Sequence, residues 1–255
     1  MTMAENREDV MVDDTIGRRR FLLGAGIAGT AVATGLASTA PADAQGPPVP
    51  QSASPAPAPV AQPEPEILLA LTASEAAFVS AAVDAFVPAD ELSPSGTDCG
   101  LVTFIDRQLA SAWGGGAKMY RSGPFQKGKP EQGYQLALTP KEFFSAGIDE
   151  ANAWSRKTYG KDFDRLSPPD RTAALKTMEE GKAEFIGIGS KPFFDALLTI
   201  STEGFFSDPI YGGNRHHASW NMLGFPGLPA TYASKFDEYL TKRYTAPPQS
   251  IADFS

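Results

Sequence analysis

Two four-residue segments, Thr72-Ala73-Ser74-Glu75 and Thr139-Pro140-Lys141-Glu142, constrain the architecture of this chain more than any other feature. Each is a capping box, in which the threonine oxygen takes an early helix N–H and the glutamate reaches back to the N–H of the cap. Behind the first, Phe78, Val79, Ala82, Val83 and Phe86 recur at helical spacing until Pro88 stops them. The second has proline at the first helical position, where its missing N–H costs nothing, and leads a stripe of Phe144, Ile148, Ala151 and Trp154 that closes near Gly160. Between them a further helix is predicted after Asp98, with Leu101, Val102, Ile105 and Leu109 inward and its end at Gly114-Gly115-Gly116. Ser167-Pro168-Pro169-Asp170 opens a fourth, and Ser190-Lys191-Pro192 opens a fifth that carries Phe193, Phe194, Leu197 and Leu198 and finishes at Phe205-Phe206. A last helix is expected from about Pro229 to Tyr244, with Tyr232, Phe236, Tyr239 and Leu240 in register. Strand patterns are scarce, so the expected fold is all-α: an irregular helical domain with long loops rich in glycine, proline and aromatic residues.

The N-terminal region has a different grammar. Arg18-Arg19, followed by Arg20-Phe21-Leu22, reads as a twin-arginine export address. Gly24-Ala25-Gly26-Ile27-Ala28-Gly29 also spells a dinucleotide-binding GxGxxG, but that motif needs a preceding strand and an acidic residue about 20 positions on, and neither is present. The same residues fit the apolar region of a signal running to Ala42-Asp43-Ala44, a small-x-small cleavage site. The alternative is an uncleaved anchor, because a span of about 20 apolar residues can just be made here. The expected organisation is a twin-arginine signal over 1–44, a disordered Pro/Ala-rich linker over 45–65, a helical domain over 66–245 and a tail over 246–255.

Charge and cysteine usage exclude several function classes. The 30 Asp and Glu against 22 Lys and Arg in 255 residues argue against a nucleic-acid role, since phosphate binding needs a basic face. One cysteine, Cys99, cannot form an intrachain disulfide. It lies near a helix start, which can activate a thiol, although a buried structural role suits a lone cysteine better. The only histidines, His216 and His217, would point apart on an extended loop, and no HExxH, CxxC or third ligand accompanies them. No GxSxG elbow, phosphate loop or CxxCH haem motif occurs. Neither a catalytic site nor a cofactor or metal site is therefore expected in this chain, and without a later apolar run of membrane length it should reach a membrane only through a partner.

Two insertions stand out. Gly114 to Leu138 is glycine-rich and basic, with Lys118, Arg121, Lys127 and Lys129 against Glu131 alone, and suits either a solvated loop or a contact for an acidic partner. Glu203 to Gly227 is long for a loop inside a compact domain and too aromatic to be left in water. Its Tyr211, Asn214, Arg215, Trp220 and Phe225 are the residue types that dominate protein interfaces, and the interspersed glycines let a neighbouring chain approach. A partner-binding segment is the expectation. The rival is a free-standing small-molecule binder, with Tyr211, Trp220, Phe225 and Asn214 as a sugar or small-acid pocket.

The stretch EGFFSDPIYGGNRHHASWNMLGFPG at 203–227, with PEQGYQLALTP at 130–140 and LTASEAAFVSAAVDAFVPAD at 71–90, resembles the small subunit of gluconate 2-dehydrogenase, the subunit 3 family. The resemblance spans nearly all of the folded part. It implies a non-catalytic small subunit that accompanies an FAD-dependent large subunit of the glucose-methanol-choline class, and commonly a membrane-bound multihaem cytochrome c carrying haem c. It further implies a periplasmic complex at the cytoplasmic membrane, with the small subunit aiding folding and flavin loading and lending the leader at Arg18, Arg19, Phe21 and Leu22 to a large subunit that has none. Folded export then makes sense: the leader serves the assembled complex.

Overall fold

A computed structural model describes residues 67–126, 128, 129, 132–228, 231 and 233–254. The expectations placed on the leader, Arg18, Arg19, Phe21 and Leu22, and on the linker lie outside these residues. Seven α-helices occur among the described residues: α1 Ala73–Phe86, α2 Leu101–Ala110, α3 Pro140–Tyr159, α4 Pro168–Glu179, α5 Ser190–Phe206, α6 Ala218–Leu223 and α7 Phe236–Tyr239. No described residue belongs to a strand, and the nearest thing to sheet is an isolated bridge between Gly227 and Gln249.

Both capping boxes close. The Thr72 hydroxyl accepts from the Glu75 N–H at 3.3 Å while the Glu75 carboxylate accepts from the Thr72 N–H at 2.7 Å. Thr139 and Glu142 exchange the same pair at 3.2 and 2.8 Å. Gly160 ends α3 in the left-handed conformation, φ 74°, where a Cβ would crowd the backbone carbonyl. These local signals set the helix ends; the apolar stripes set what the helices do next.

Helix α5 lies at the centre, packing against α2, α3 and α4, while α1 packs on α2, α4 and the short turn Phe163–Arg165. Between them Phe78, Phe86, Phe143, Phe163, Phe193 and Phe205 are fully buried. Phe78 and Phe163 lie 4.6 Å apart between ring centroids, and Phe86 meets Phe194 edge-on at 5.8 Å. The segment that leads into α1 is pinned by a carboxylate: buried Asp106, on α2, accepts the N–H groups of Leu69, Ala70 and Leu71 at 2.7, 2.9 and 2.8 Å.

The last helix departs from the expectation. In place of one helix from Pro229 to Tyr244 there is a 3-10 turn at Ala233–Lys235 and the four-residue α7, with Phe236 and Leu240 exposed; Pro229 and Tyr232 lie outside the described residues. Short helices hold in water chiefly through packing of an apolar face, and α7 packs mainly on the turn just before it. The amphipathic spacing was real, but the core offered it no surface.

Glu75 carries a pH signature. Burial by itself pushes its carboxyl up, but hydrogen bonds from Ser145 at 2.5 Å and from the Thr72 N–H and hydroxyl, with Lys141 nearby, outweigh burial and hold it below the usual carboxylate range. A carboxyl lowered on folding stabilises the fold above its unfolded value near 4.5, and that contribution disappears as pH falls through the folded value. Glu75→Gln is expected to lower stability at pH 7 by about 1 kcal/mol and to flatten the acid limb of the stability–pH curve. Denaturant midpoints measured between neutral and acidic pH on both proteins check this; parallel curves would contradict it.

Candidate interface and cleft

The segment after α5 is built on the helix that precedes it. Asp208 caps the turn Pro209–Tyr211 by accepting the Ile210 N–H at 3.0 Å, and its second oxygen accepts the Ile251 N–H at 3.0 Å. Asn214 then adopts the left-handed conformation, φ 46°, and is wholly enclosed. Its amide donates to the Ser207 carbonyl at 2.9 Å and accepts from the Ser219 N–H at 2.9 Å and hydroxyl at 2.8 Å. Both ends of the loop are thereby tied to one side chain. Arg215 secures the loop to α2: its N–H donates to the Cys99 carbonyl at 3.0 Å and its guanidinium to the Thr103 hydroxyl at 2.9 Å. This docking requires glycine at position 100, where φ is 81° and a Cβ would stand 2.2 Å from the Gly212 carbonyl oxygen. Cys99 itself is buried.

His216 and His217 do not lie on an extended loop. Both are left-handed, φ 56° and 55°, and lead directly into α6. His217 rests near the Trp220 ring, centroids 5.5 Å apart, with Nε2 3.6 Å from Asp253, too long for a hydrogen bond. No group of three or more His, Cys, Asp or Glu that could hold a metal occurs among the described residues.

The five residues expected at a partner contact divide. Asn214 and Trp220 are enclosed by this chain; Trp220 is 6 % exposed and donates its indole N–H to the Phe206 carbonyl at 3.1 Å. Arg215 is half-buried and committed to α2. Tyr211 and Phe225 remain outside, 52 % and 44 % exposed, and the Phe225 ring stands edge-on against Trp220 at 5.2 Å. Enclosing Asn214 and Trp220 also removes the polar and stacking groups of the small-molecule pocket that the residue types allowed. The expected contact residues did not include Ile210 and Leu223, exposed on the same segment, or Ile251 and Phe254, exposed on a C-terminal turn bound to it. That turn is held by the Leu228 N–H on the Gln249 carbonyl at 2.9 Å and the Gln249 N–H on the Pro226 carbonyl at 3.0 Å. Asp208 before Pro209 was the one legible signal that something would be fastened here.

The principal cavity among the described residues lies elsewhere, between the basic insertion and α5, with a volume of about 1030 Å³. Phe143 and Phe144 of α3 and Ile200 of α5 form its floor, and Phe125, Tyr134 and Leu136 of the insertion form its roof. Tyr134 stacks flat on Phe143, centroids 4.0 Å apart. Lys129 stands on the insertion side and is exposed, while Lys191 on α5 is paired with Asp195 at 3.0 Å. Glu203 closes the far end, where partial desolvation pushes its carboxyl above the usual carboxylate range.

An all-α domain whose core is complete, and which fixes an apolar loop in the open, has the makings of an accessory subunit. The family model of gluconate 2-dehydrogenase subunit 3 matches residues 73–227, more than half of the 255-residue chain, and the chain belongs to that family. Comparison with curated proteins and with solved structures gave no match. Family membership implies a dehydrogenase partner. The matched region starts at α1 and stops at Gly227, so it includes the whole of the loop built on Asn214 and excludes the C-terminal turn that clasps it.

Proposed function

We propose that this chain is the non-catalytic small subunit of a periplasmic FAD-dependent dehydrogenase of the gluconate 2-dehydrogenase type, required for folding, flavin loading and twin-arginine export of its large subunit. A cytochrome subunit carrying haem c would complete the complex and hold it at the membrane; no described helix of this chain is long and apolar enough to cross one. The observation that carries the reading is the pairing of a pinned backbone with exposed apolar side chains at Tyr211, Leu223 and Phe225. Ordering such side chains in advance lowers the entropic cost of association. Binding a folded partner but not its unfolded form stabilises it by RT ln(1 + [L]/Kd), about 2.7 kcal/mol at a hundredfold excess over Kd.

Expression of the large subunit with and without this chain tests the proposal. With the chain, yellow, soluble enzyme is expected outside the cytoplasm; without it, flavin content and soluble yield are expected to fall about tenfold or more. Changing Arg18 and Arg19 to lysine should leave both proteins assembled inside the cell. Equal yield and export in the absence of the chain would refute the reading.

A further inference from the structure

We propose a second docking site on this chain: the cleft along α5 receives a segment of the large dehydrogenase subunit that presents a row of apolar side chains flanked by carboxylates. The inference rests on the small-subunit reading given above and goes beyond it, because it places a contact in a region that the aromatic loop does not reach.

Three observations carry it. The first is shape: about 1030 Å³ bounded by Phe125, Tyr134 and Leu136 on one side and Phe144, Pro192 and Ile200 on the other is room for several large side chains in a row. The second is charge. The whole chain has a formal net charge of −8, yet the insertion from Gly114 to Leu138 holds Lys118, Arg121, Lys127 and Lys129 against Glu131. Lys118, Arg121 and Lys129 are all exposed on it, while across the cleft Lys191 is already matched by Asp195. Of the insertion's cations, Lys129 lines the cleft while Arg121 lies near Glu142, so an occupant complementary to the insertion edge carries a carboxylate opposite Lys129. The third is continuity. The cleft follows α5 from Lys191 to Glu203, and the pinned aromatic loop starts four residues later at Ser207, so one partner can run along the helix and cover both.

Beside the cleft, Ile186 projects fully into solvent from a turn held rigid by the Glu150 carboxylate, which accepts the N–H groups of Ile186, Gly187 and Ile188, the second at 2.6 Å. A braced turn that offers one bare isoleucine gives the occupant an apolar anchor at the rim.

Thr199 lines the cleft and is exposed, so Thr199→Trp fills the space without entering the core. Co-expressed with the large subunit, the T199W full chain is expected to recover at least tenfold less of it than the wild type does, while its own melting temperature stays unchanged. Lys129→Glu is expected to weaken recovery several-fold and to make it less sensitive to salt. As a measurement independent of fill and folding, a photo-crosslinker attached through Thr199→Cys should join to one acidic, apolar stretch of the large subunit. Wild-type recovery by T199W, no crosslink to the large subunit, or a lipid or other small apolar molecule found in the cleft by native mass spectrometry would each overturn the assignment. If the wild-type chain itself recovers no large subunit, the small-subunit reading fails and takes this one with it.

Discussion

Phe193→Ala is expected to cost about 3–5 kcal/mol, against a total stability of about 5–15 kcal/mol for a domain of this kind. The ring is fully buried and is shared by four elements: its centroid lies 6.0 Å from that of Phe78 on α1, 6.3 Å from Phe144 on α3 and 6.1 Å from Phe185 on the loop before α5. It also presses against α3 at a place without a side chain, for a Cβ on Gly147 would stand 2.1 Å from the ring. Close-packed helices held by their own backbones cannot collapse into the space the ring leaves, so the cavity term adds to the lost transfer energy. Chemical denaturation with an unchanged slope and a greatly lowered midpoint is the expected reading. A loss below about 1 kcal/mol would mean that the site relaxes and that α3 and α5 are not held as described.

Asn214→Ala is expected to cost about 2–4 kcal/mol, but locally. Its effect separates the loop from the core. The substitution removes both hydrogen-bonding ends of a side chain enclosed by protein, leaves the Ser207 carbonyl and the Ser219 N–H without their partner, and keeps a Cβ in the left-handed region. Helix content from α1 to α5 should be retained, since those helices close on one another. Amides of residues 207–227 should lose their protection from hydrogen exchange, and recovery of the large subunit should fall with them. Asn214→Gly relieves the backbone and still loses the bonds; it should resemble the alanine variant if the amide is what matters, and the wild type if conformation alone does. Protection unchanged in both variants would show that Asn214 does not organise the loop.

Helix starts were legible because they are written locally, whereas α2 stops at Ala110, short of the expected glycines at 114–116. A threonine, a glutamate three residues on and a proline between them act within one turn, and Thr72, Thr139 and Ser167 became caps as the residues alone indicated. The stripes of α1, α2, α3 and α5 were legible for the same reason, since a period of 3.6 residues survives whatever the helix packs against. The terminal helix was not, because Phe236 and Leu240 repeat at the right spacing and nothing in spacing tells whether a core lies beside them. The aromatic loop was legible as a segment that water could not cover, yet not as to which rings face inward. Trp220 and Phe225 are both large aromatic residues on paper, and only the fold encloses Trp220, with its indole N–H on the Phe206 carbonyl, while leaving Phe225 exposed.

Caps, apolar stripes and residue types alone mark this chain as helical, show where five of its helices begin and which family it resembles, and gather its unusual residues at 203–227. It takes the packed domain to make Asn214 a brace and Tyr211 a surface, to roof a cleft on α5 with the basic insertion, and to bring Gln249 to Phe254 against the loop. The physical reason is range: caps and stripes are set by neighbours within a turn or two, whereas exposure, clefts and clasps depend on residues brought together from distant parts of the chain, and those distances are fixed only when the core closes.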